Sequence, residues 1–170
     1  MKKLLLLSAI ALVTIGVRAQ DDKSKRPSPP AKVTETISSG AVITIDYSQP
    51  SVKGREVGKE IAPYGKVWRT GANEATTFEV SKDVKVEGKA LAAGKYGLFS
   101  IPNKEEWVII FNKTPNQWGA YKYAEADDVL RIKVKPTKAP QFTERMTFTV
   151  DKSGKVALLW GDGQVAFNVQ

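Results

Sequence analysis

A short segment, residues 63–76, carries the side chains best suited to recognition or catalysis. In its sequence, PYGKVWRTGANEAT, four such residues follow one another closely: Trp68, Arg69, Asn73 and Glu74. Neighbouring residues of a strand face opposite sides, so Trp68 can enter a core while Arg69 reaches a neighbour or a ligand. Indole, guanidinium, amide and carboxylate groups together bind sugars and peptides. The segment therefore predicts a binding site, with a buried Arg69–Glu74 ion pair that only pins a loop as the alternative.

The residue types that are missing narrow the chemistry. The 170 residues include no histidine and no cysteine, which excludes histidine-dependent triads, thiol nucleophiles, disulfides and His or Cys metal sites. No acidic loop has calcium-binding spacing, so we expect neither a metal nor a cofactor. The enzymatic route left open is a glycan hydrolase that pairs Glu74 with Asp46, Asp127 or Asp128, because such enzymes need only two carboxylates.

The first residues have the pattern of an export signal. Two lysines precede an apolar run over residues 4–17, and small residues follow before a cleavage point at Gln20. The run is shorter than the roughly 20 apolar residues of a membrane-spanning helix. We therefore predict that residues 1–19 are a signal peptide and that the mature protein is exported, periplasmic or secreted, with no membrane span.

The remaining chain predicts a linker followed by one domain. Residues 20–32 are polar and contain three prolines, a composition typical of an extended linker. Residues 33–170 have the length of one domain that can bury a core without disulfides. The 26 basic and 18 acidic residues of the chain are interleaved, which favours a solvated surface and argues against a nucleic-acid partner.

Short segments with period-two alternation dominate this domain. Val33–Ser38 and Ala41–Tyr47 flank the turn dipeptide Ser39-Gly40 and predict a hairpin. Further strands are expected at Thr76–Val80, Val84–Glu87, Lys95–Ile101, Trp107–Asn112, Asp128–Lys135, Phe142–Val150, Lys155–Trp160 and Gln164–Gln170. The last three form a predicted meander with a turn at Gly161-Asp162-Gly163. We predict an all-β fold: a single antiparallel β-sandwich, or a closely related barrel, of about ten short strands.

Two connections, Ser48–Gly65 and Lys113–Asp127, are too long to be simple turns. Loops beyond about 12–15 residues are uncommon in compact domains and are often functional. We predict that these loops and the segment after Trp68 build one ligand site. Its residues are Arg55, Tyr64, Arg69, Asn73, Glu74, Asn112, Gln117, Trp118 and Tyr121.

Stacking and bidentate hydrogen bonding are the expected functions of this site. Trp118 or Tyr121 would stack on a sugar or an apolar face, while Arg55 or Arg69 would hold a carboxylate or phosphate. The alternative is that Trp118 and Tyr121 only cap one end of the core.

Several segments, taken in order, resemble those of the bacterial family known as domain of unknown function 2911. They are TIDYS at 44–48, PSVKGR at 50–55, PYGKVWRTGANEA at 63–75, AGKYGLFSIP at 93–102, FNK at 111–113 and QWGAY at 117–121. The resemblance covers about residues 26–136 and continues more loosely beyond. It implies an exported β-rich domain with no established activity, and it supplies no catalytic residues.

The sequence favours a non-catalytic module that binds a glycan, a peptide or a small anion. The first alternative is a structural or interaction module, in which the polar motif residues only satisfy backbone groups in loops. The second, less favoured, is the carboxylate-based glycan hydrolase. Whether the chain is an enzyme is left open, with the residues leaning against it.

Overall fold

The structure is a computed structural model that describes residues 22–170, and nearly all of its regular structure is β-strand. The strands are β1 (Pro30–Thr36), β2 (Val42–Ser48), β3 (Thr76–Val80), β4 (Val84–Val86), β5 (Lys89–Leu91), β6 (Gly94–Ile101), β7 (Trp107–Asn112), β8 (Asp128–Val134), β9 (Thr137–Val150) and β10 (Lys155–Asn168). Short 3₁₀ turns lie at Lys23–Lys25 and Glu125–Asp127. Within residues 22–170, no helix has the length and apolarity needed to cross a membrane. The predicted signal peptide, residues 1–19, lies outside the described residues.

Six strands form one antiparallel sheet in the order β1-β2-β3-β6-β7-β8. The two longest strands, β9 and β10, pair with each other, and β4 and β5 form a small separate hairpin. The architecture is all-β and sandwich-like, and it is not a closed barrel. The predicted fold class is therefore confirmed in its sandwich form.

The core lies between the six-stranded sheet and the β9–β10 hairpin. Phe78 of β3 and Phe111 of β7 are fully buried and meet edge to face, with ring centroids 5.1 Å apart. Phe167 of β10 packs against both rings, at 6.1 Å from Phe78 and 5.9 Å from Phe111. Such aromatic pairs stabilise beyond their buried area, so these three rings join the two layers.

Most strands follow the alternation in the sequence. Thr76–Val80 and Trp107–Asn112 match the prediction at both ends, and the hairpin about Ser39-Gly40 is the β1–β2 pair. β1 begins at Pro30, so the last residues of the stretch predicted as a linker, 20–32, pair within the sheet.

The predicted three-strand meander at the C-terminus is wrong. β10 continues through Gly161-Asp162-Gly163 without a turn and pairs with β9 on both sides of it. The register shifts there, as the partners show: Leu159 with Thr147, Gly161 with Thr143, and Gly163 with Lys138. From each of these pairs to the next, β10 advances by two residues, whereas β9 advances first by four residues and then by five. The glycines mark a bulged region of a long hairpin, which is a known use of glycine inside strands.

The turn between β9 and β10 depends on a glycine. Gly154 has a φ of +89°, and a Cβ atom there would clash with the carbonyl oxygen of Val169. We expect Gly154→Ala to lower the free energy of unfolding by about 3 kcal/mol or more, because left-handed strain of about 1–2 kcal/mol is added to a backbone clash. Urea denaturation measures the loss.

Gly88→Ala is the matched control, because Gly88 has a φ of +77° and open space around the added methyl group. Only the conformational cost of about 1–2 kcal/mol is expected there. Equal losses in the two variants would contradict the proposed clash.

Candidate functional site

The segment after Trp68 turns sharply away from the sheet. Trp68 pairs with Ser100 of β6 through two backbone hydrogen bonds of 2.8 and 2.9 Å, and its indole N–H donates to the carbonyl oxygen of Gly71 at 3.0 Å. Thr70 and Asn73 have φ values of 51° and 59°, in the left-handed region that bends the chain. These turns bring the residues after Asn73 back to the start of β3.

Trp68 and Arg69 have different surroundings, as their adjacency predicts. Trp68 is buried in the main core, whereas Arg69 is half-buried near Tyr121. Burial lowers the pKa of Arg69, and the proximity of Tyr121 partly opposes this. Arg69 forms no ion pair with any residue in 22–170, so the Arg69–Glu74 pair considered from the sequence is not formed.

Glu74 is bound instead by the N-terminal segment. Lys23 Nζ lies 2.9 Å from Glu74 Oε1, and Arg26 Nη1 donates to both carboxylate oxygens at 3.1 and 3.0 Å. The same Arg26 guanidinium lies over the Trp118 ring, 5.9 Å from its centroid. A single arginine therefore orients both the carboxylate and the indole.

The loop between β7 and β8 runs beside this segment. Glu74 and Trp118 form an antiparallel bridge, the Ala75 N–H donates to the Gln117 carbonyl at 2.9 Å, and Gly119 N–H donates to that of Asn73 at 3.0 Å. The structure thus brings together four predicted site residues, Asn73, Glu74, Gln117 and Trp118.

A groove of about 550 Å³ lies beside them. We call it the Trp118 groove, and its wall includes Asp46, Tyr47, Glu74, Thr77, Gln117 and Trp118. Asn73 lies at its edge and donates from Nδ2 to the Ser28 carbonyl at 3.0 Å, which fixes the N-terminal segment against it.

Three predicted residues are placed away from the groove. Asn112 is fully buried, where its Nδ2 donates to Ala124 O and Asp128 Oδ1, so it anchors the loop and contacts no recess. Tyr121 is 87% exposed, and neither it nor Arg69 lines the groove.

The last two predicted residues, Arg55 and Tyr64, line a different recess, with a volume of about 520 Å³. It lies between the β2–β3 loop and the bulged part of the β9–β10 hairpin, and it shares no wall residue with the Trp118 groove. We call it the tryptophan cavity. Its apolar wall includes Trp107, Phe142, Leu158, Trp160 and Val165.

The bulge in β9 explains why this cavity exists. Phe142 lies between the paired residues Lys138 and Thr143, within the surplus length of β9, and is 54% exposed. On the opposite strand, Gly161 and Gly163 line the cavity and have no side chains to fill it. Bulges commonly lie beside functional sites, where they redirect a side chain.

The two indoles in the cavity wall, Trp107 and Trp160, both pack against a third indole, Trp68, which does not line the cavity. Trp160 stacks on Trp68 at 5.4 Å with an interplanar angle of 11°, and Trp107 meets Trp68 edge to face at 6.3 Å. The Trp160 Nε1 atom is buried and has no hydrogen-bond partner among the described residues. Sequence reasoning missed this wall, because Gly161-Asp162-Gly163 has the composition of a turn.

Charged groups surround the cavity. Arg55 donates from Nε to the Val52 carbonyl at 3.1 Å and from Nη2 to the Ser51 carbonyl at 2.7 Å. Lys104 and Asp162 are exposed at its edge and form no ion pair within residues 22–170. The cavity is therefore apolar inside and charged at its rim.

The carboxylates are arranged for recognition more than for acid catalysis. Burial opposes ionisation of Glu74, but hydrogen bonds from Lys23 and Arg26 outweigh it and lower the pKa of Glu74 to about 2. A glycosidase acid needs a raised pKa, so Glu74 is not placed for that role. Asp127 and Asp128 line neither recess. No cluster of three acidic residues suited to a metal occurs within residues 22–170.

The fold that carries these two recesses is an all-β, sandwich-like domain. The chain matches the model of the family described as "Protein of unknown function (DUF2911)" over residues 28–169, and it belongs to that family. The resemblance seen in the sequence is thereby confirmed. No curated protein and no solved structure matches the chain significantly.

The ion pairs of Glu74 make a pH-dependent contribution to stability. Because the pKa of Glu74 is depressed from 4.5 to about 2, this contribution is present above pH 4.5 and is lost as the pH falls through 2. The side chain is 40% exposed, so Glu74→Gln should lower the free energy of unfolding at pH 7 by only about 1 kcal/mol. Urea denaturation at pH 7, 5 and 3 should show the difference from wild type shrinking at pH 3.

Glu79→Gln is the control for this prediction. Glu79 is half exposed, and its ion pair with Lys95 is long, at 3.8 Å, so we expect a change within about 0.5 kcal/mol at every pH. A Glu74→Gln deficit that is as large at pH 3 as at pH 7 would show that the charge of Glu74 is not the cause.

Proposed function

We propose that this protein is a non-catalytic, exported binding module whose tryptophan cavity holds a small organic molecule with a flat apolar body. The observation that carries the proposal is the cavity itself, an indole-walled recess opened by a bulge in an otherwise regular hairpin. Its volume of about 520 Å³ lies within the range of small-molecule sites, which are concave, mostly apolar and already formed before binding.

The wall of the cavity suits a planar ligand. Trp107 and Trp160 are 6% and 3% exposed, so the core holds them rigidly and a ligand would order few side chains on binding. Phe142, at 54% exposure, is one of few large apolar side chains in residues 22–170 that are left in solvent. A ligand that covers Phe142 removes apolar surface from water, which contributes roughly 25 cal/mol per Å².

Charged residues at the rim of the cavity would orient the ligand. Lys104 and Arg55 can attract an acidic group on the ligand, while Asp162 lies on the β10 side. Glu56, the other acidic wall residue, is paired with Lys59 at 2.8 Å. A small anion with an apolar body therefore fits better than a glycan, whose many hydroxyl groups would face an apolar wall without partners.

A fluorescent naphthalene sulfonate, 1-anilinonaphthalene-8-sulfonate, combines a flat apolar body with one negative charge and is the probe for this cavity. We expect saturable binding of one molecule to folded residues 20–170, with near-ultraviolet circular dichroism confirming native packing. Phe142→Ala should weaken binding about five-fold or more because it removes an aromatic contact. The melting temperature should change little, because Phe142 is largely exposed.

Tyr121→Ala is the matched control, because Tyr121 is also an exposed aromatic residue but lines neither recess. Its affinity for the probe should equal that of wild type. Equal affinities in the Phe142 and Tyr121 variants, or no saturable binding, would exclude the tryptophan cavity as the probe's site.

A further inference from the structure

Two residues that line the Trp118 groove each have a buried oxygen atom with no hydrogen-bond partner among residues 22–170. These atoms are Thr77 Oγ1 and Gln117 Oε1, and each residue is only 8% exposed. Buried polar atoms in folded proteins are nearly always bonded, and each one left unbonded costs about 1–3 kcal/mol. Finding both in the wall of one groove indicates that the groove is built for a ligand with hydrogen-bonding groups.

The orientation of the Gln117 amide is fixed by the protein. Its Nε2 donates to the Thr114 carbonyl at 3.0 Å, which leaves the oxygen as the free end. Gln117 therefore offers an acceptor, whereas the Thr77 hydroxyl can donate or accept.

An exposed indole lies in the same groove. Trp118 is 55% exposed, while Trp68, Trp107 and Trp160 are 9%, 6% and 3% exposed. The backbone bridge to Glu74 and the Arg26 guanidinium hold it in position, so exposure does not leave it unsupported. A rigid, solvent-facing ring is a stacking surface.

The charges of the groove limit the class of ligand. Asp46 accepts from Lys32 at 3.1 Å and lies 3.8 Å from Lys95, and Glu74 is paired with Lys23 and Arg26. Because these carboxylates and cations already pair with one another, the contacts within the groove neutralise both carboxylates, and neither selects a charged ligand. An apolar ligand would leave the unpartnered oxygens unbonded. A neutral ligand with many hydroxyl groups satisfies all of these constraints.

We propose that the Trp118 groove is a second binding site of this protein and that it takes a neutral oligosaccharide, with one sugar ring stacked on Trp118. The sugar hydroxyls would bond to Gln117 Oε1, Thr77 Oγ1 and the carboxylates of Asp46 and Glu74. This site shares no wall residue with the tryptophan cavity and does not depend on the function proposed for that cavity.

Thr77→Val is the sharpest test, because valine has nearly the shape of threonine without its hydroxyl group. Since the Thr77 hydroxyl has no partner and Thr77 lies in β3, the melting temperature should be unchanged or higher. Affinity for the sugar should nevertheless fall about two- to ten-fold, the effect of one hydrogen bond. If the Thr77 hydroxyl had only a structural role, its removal would not lower sugar affinity while leaving the melting temperature unchanged.

The binding measurement is isothermal titration of residues 20–170 with neutral hexasaccharides of glucose, N-acetylglucosamine, mannose and xylose. We expect at least one to bind, Trp118→Ala to weaken it about ten-fold or more, and Tyr121→Ala to leave it unchanged. Failure of all four sugars to bind at millimolar concentration overturns the proposal, as does binding that neither the Trp118 nor the Thr77 variant weakens.

The two sites can be separated in the same experiment. Phe142→Ala should leave sugar affinity unchanged, and saturating naphthalene sulfonate should not displace the sugar. Displacement would place both ligands in one recess and would overturn the assignment of the sugar to the Trp118 groove.

Discussion

One indole, Trp68, packs between the sheet and the long hairpin and supports the wall of the tryptophan cavity. Trp68 belongs to a connecting segment, yet it stacks on Trp160 of β10, touches Trp107 of β7 and bonds through its backbone to Ser100 of β6. It therefore fixes the hairpin against the sheet from one position. Aromatic rings dominate core energetics because each buries a large area, so loss of this ring would weaken the contact between the two layers that the three phenylalanines also make.

The same residue links the tryptophan cavity to the Trp118 groove. On one side, Trp68 supports the Trp160 wall of the cavity, and a few residues later the chain reaches the groove at Glu74. Four buried polar atoms lack partners within residues 22–170, and they belong to Arg69, Thr77, Gln117 and Trp160. Thr77 and Gln117 line the Trp118 groove, and Trp160 lines the tryptophan cavity. Because unbonded buried groups are costly, their concentration at the recesses supports binding roles for both.

Local sequence pattern was enough to predict most strands: the continuous apolar run Trp107–Asn112 and the β-rich run Thr76–Val80 both form strands with the predicted bounds. The local pattern gave the wrong result at Gly161-Asp162-Gly163. Before this segment the large buried residues of β10 have even numbers, as at Val156 and Trp160, and after it they have odd numbers, as at Val165 and Phe167. A turn and a bulged continuous strand both produce such a change. The nine residues predicted to form one site lie in different places, because contacts between residues far apart in the sequence determine their positions. Arg26 reaches Glu74 across 48 residues, and no local pattern encodes that pairing.

The N-terminal segment also bears on the choice between binding and hydrolysis. In a chain without histidine or cysteine, a glycan hydrolase would use a carboxylic acid as its proton donor, and Glu74 is the carboxylate residue that pairs with Trp118 through the backbone. The contacts that hold Glu74 in place, from Lys23 and Arg26, are also those that lower its pKa to about 2. Near neutral pH, Glu74 therefore accepts hydrogen bonds and has no proton to give. The contacts that fix Glu74 in the groove therefore also exclude it as the proton donor of a two-carboxylate hydrolase.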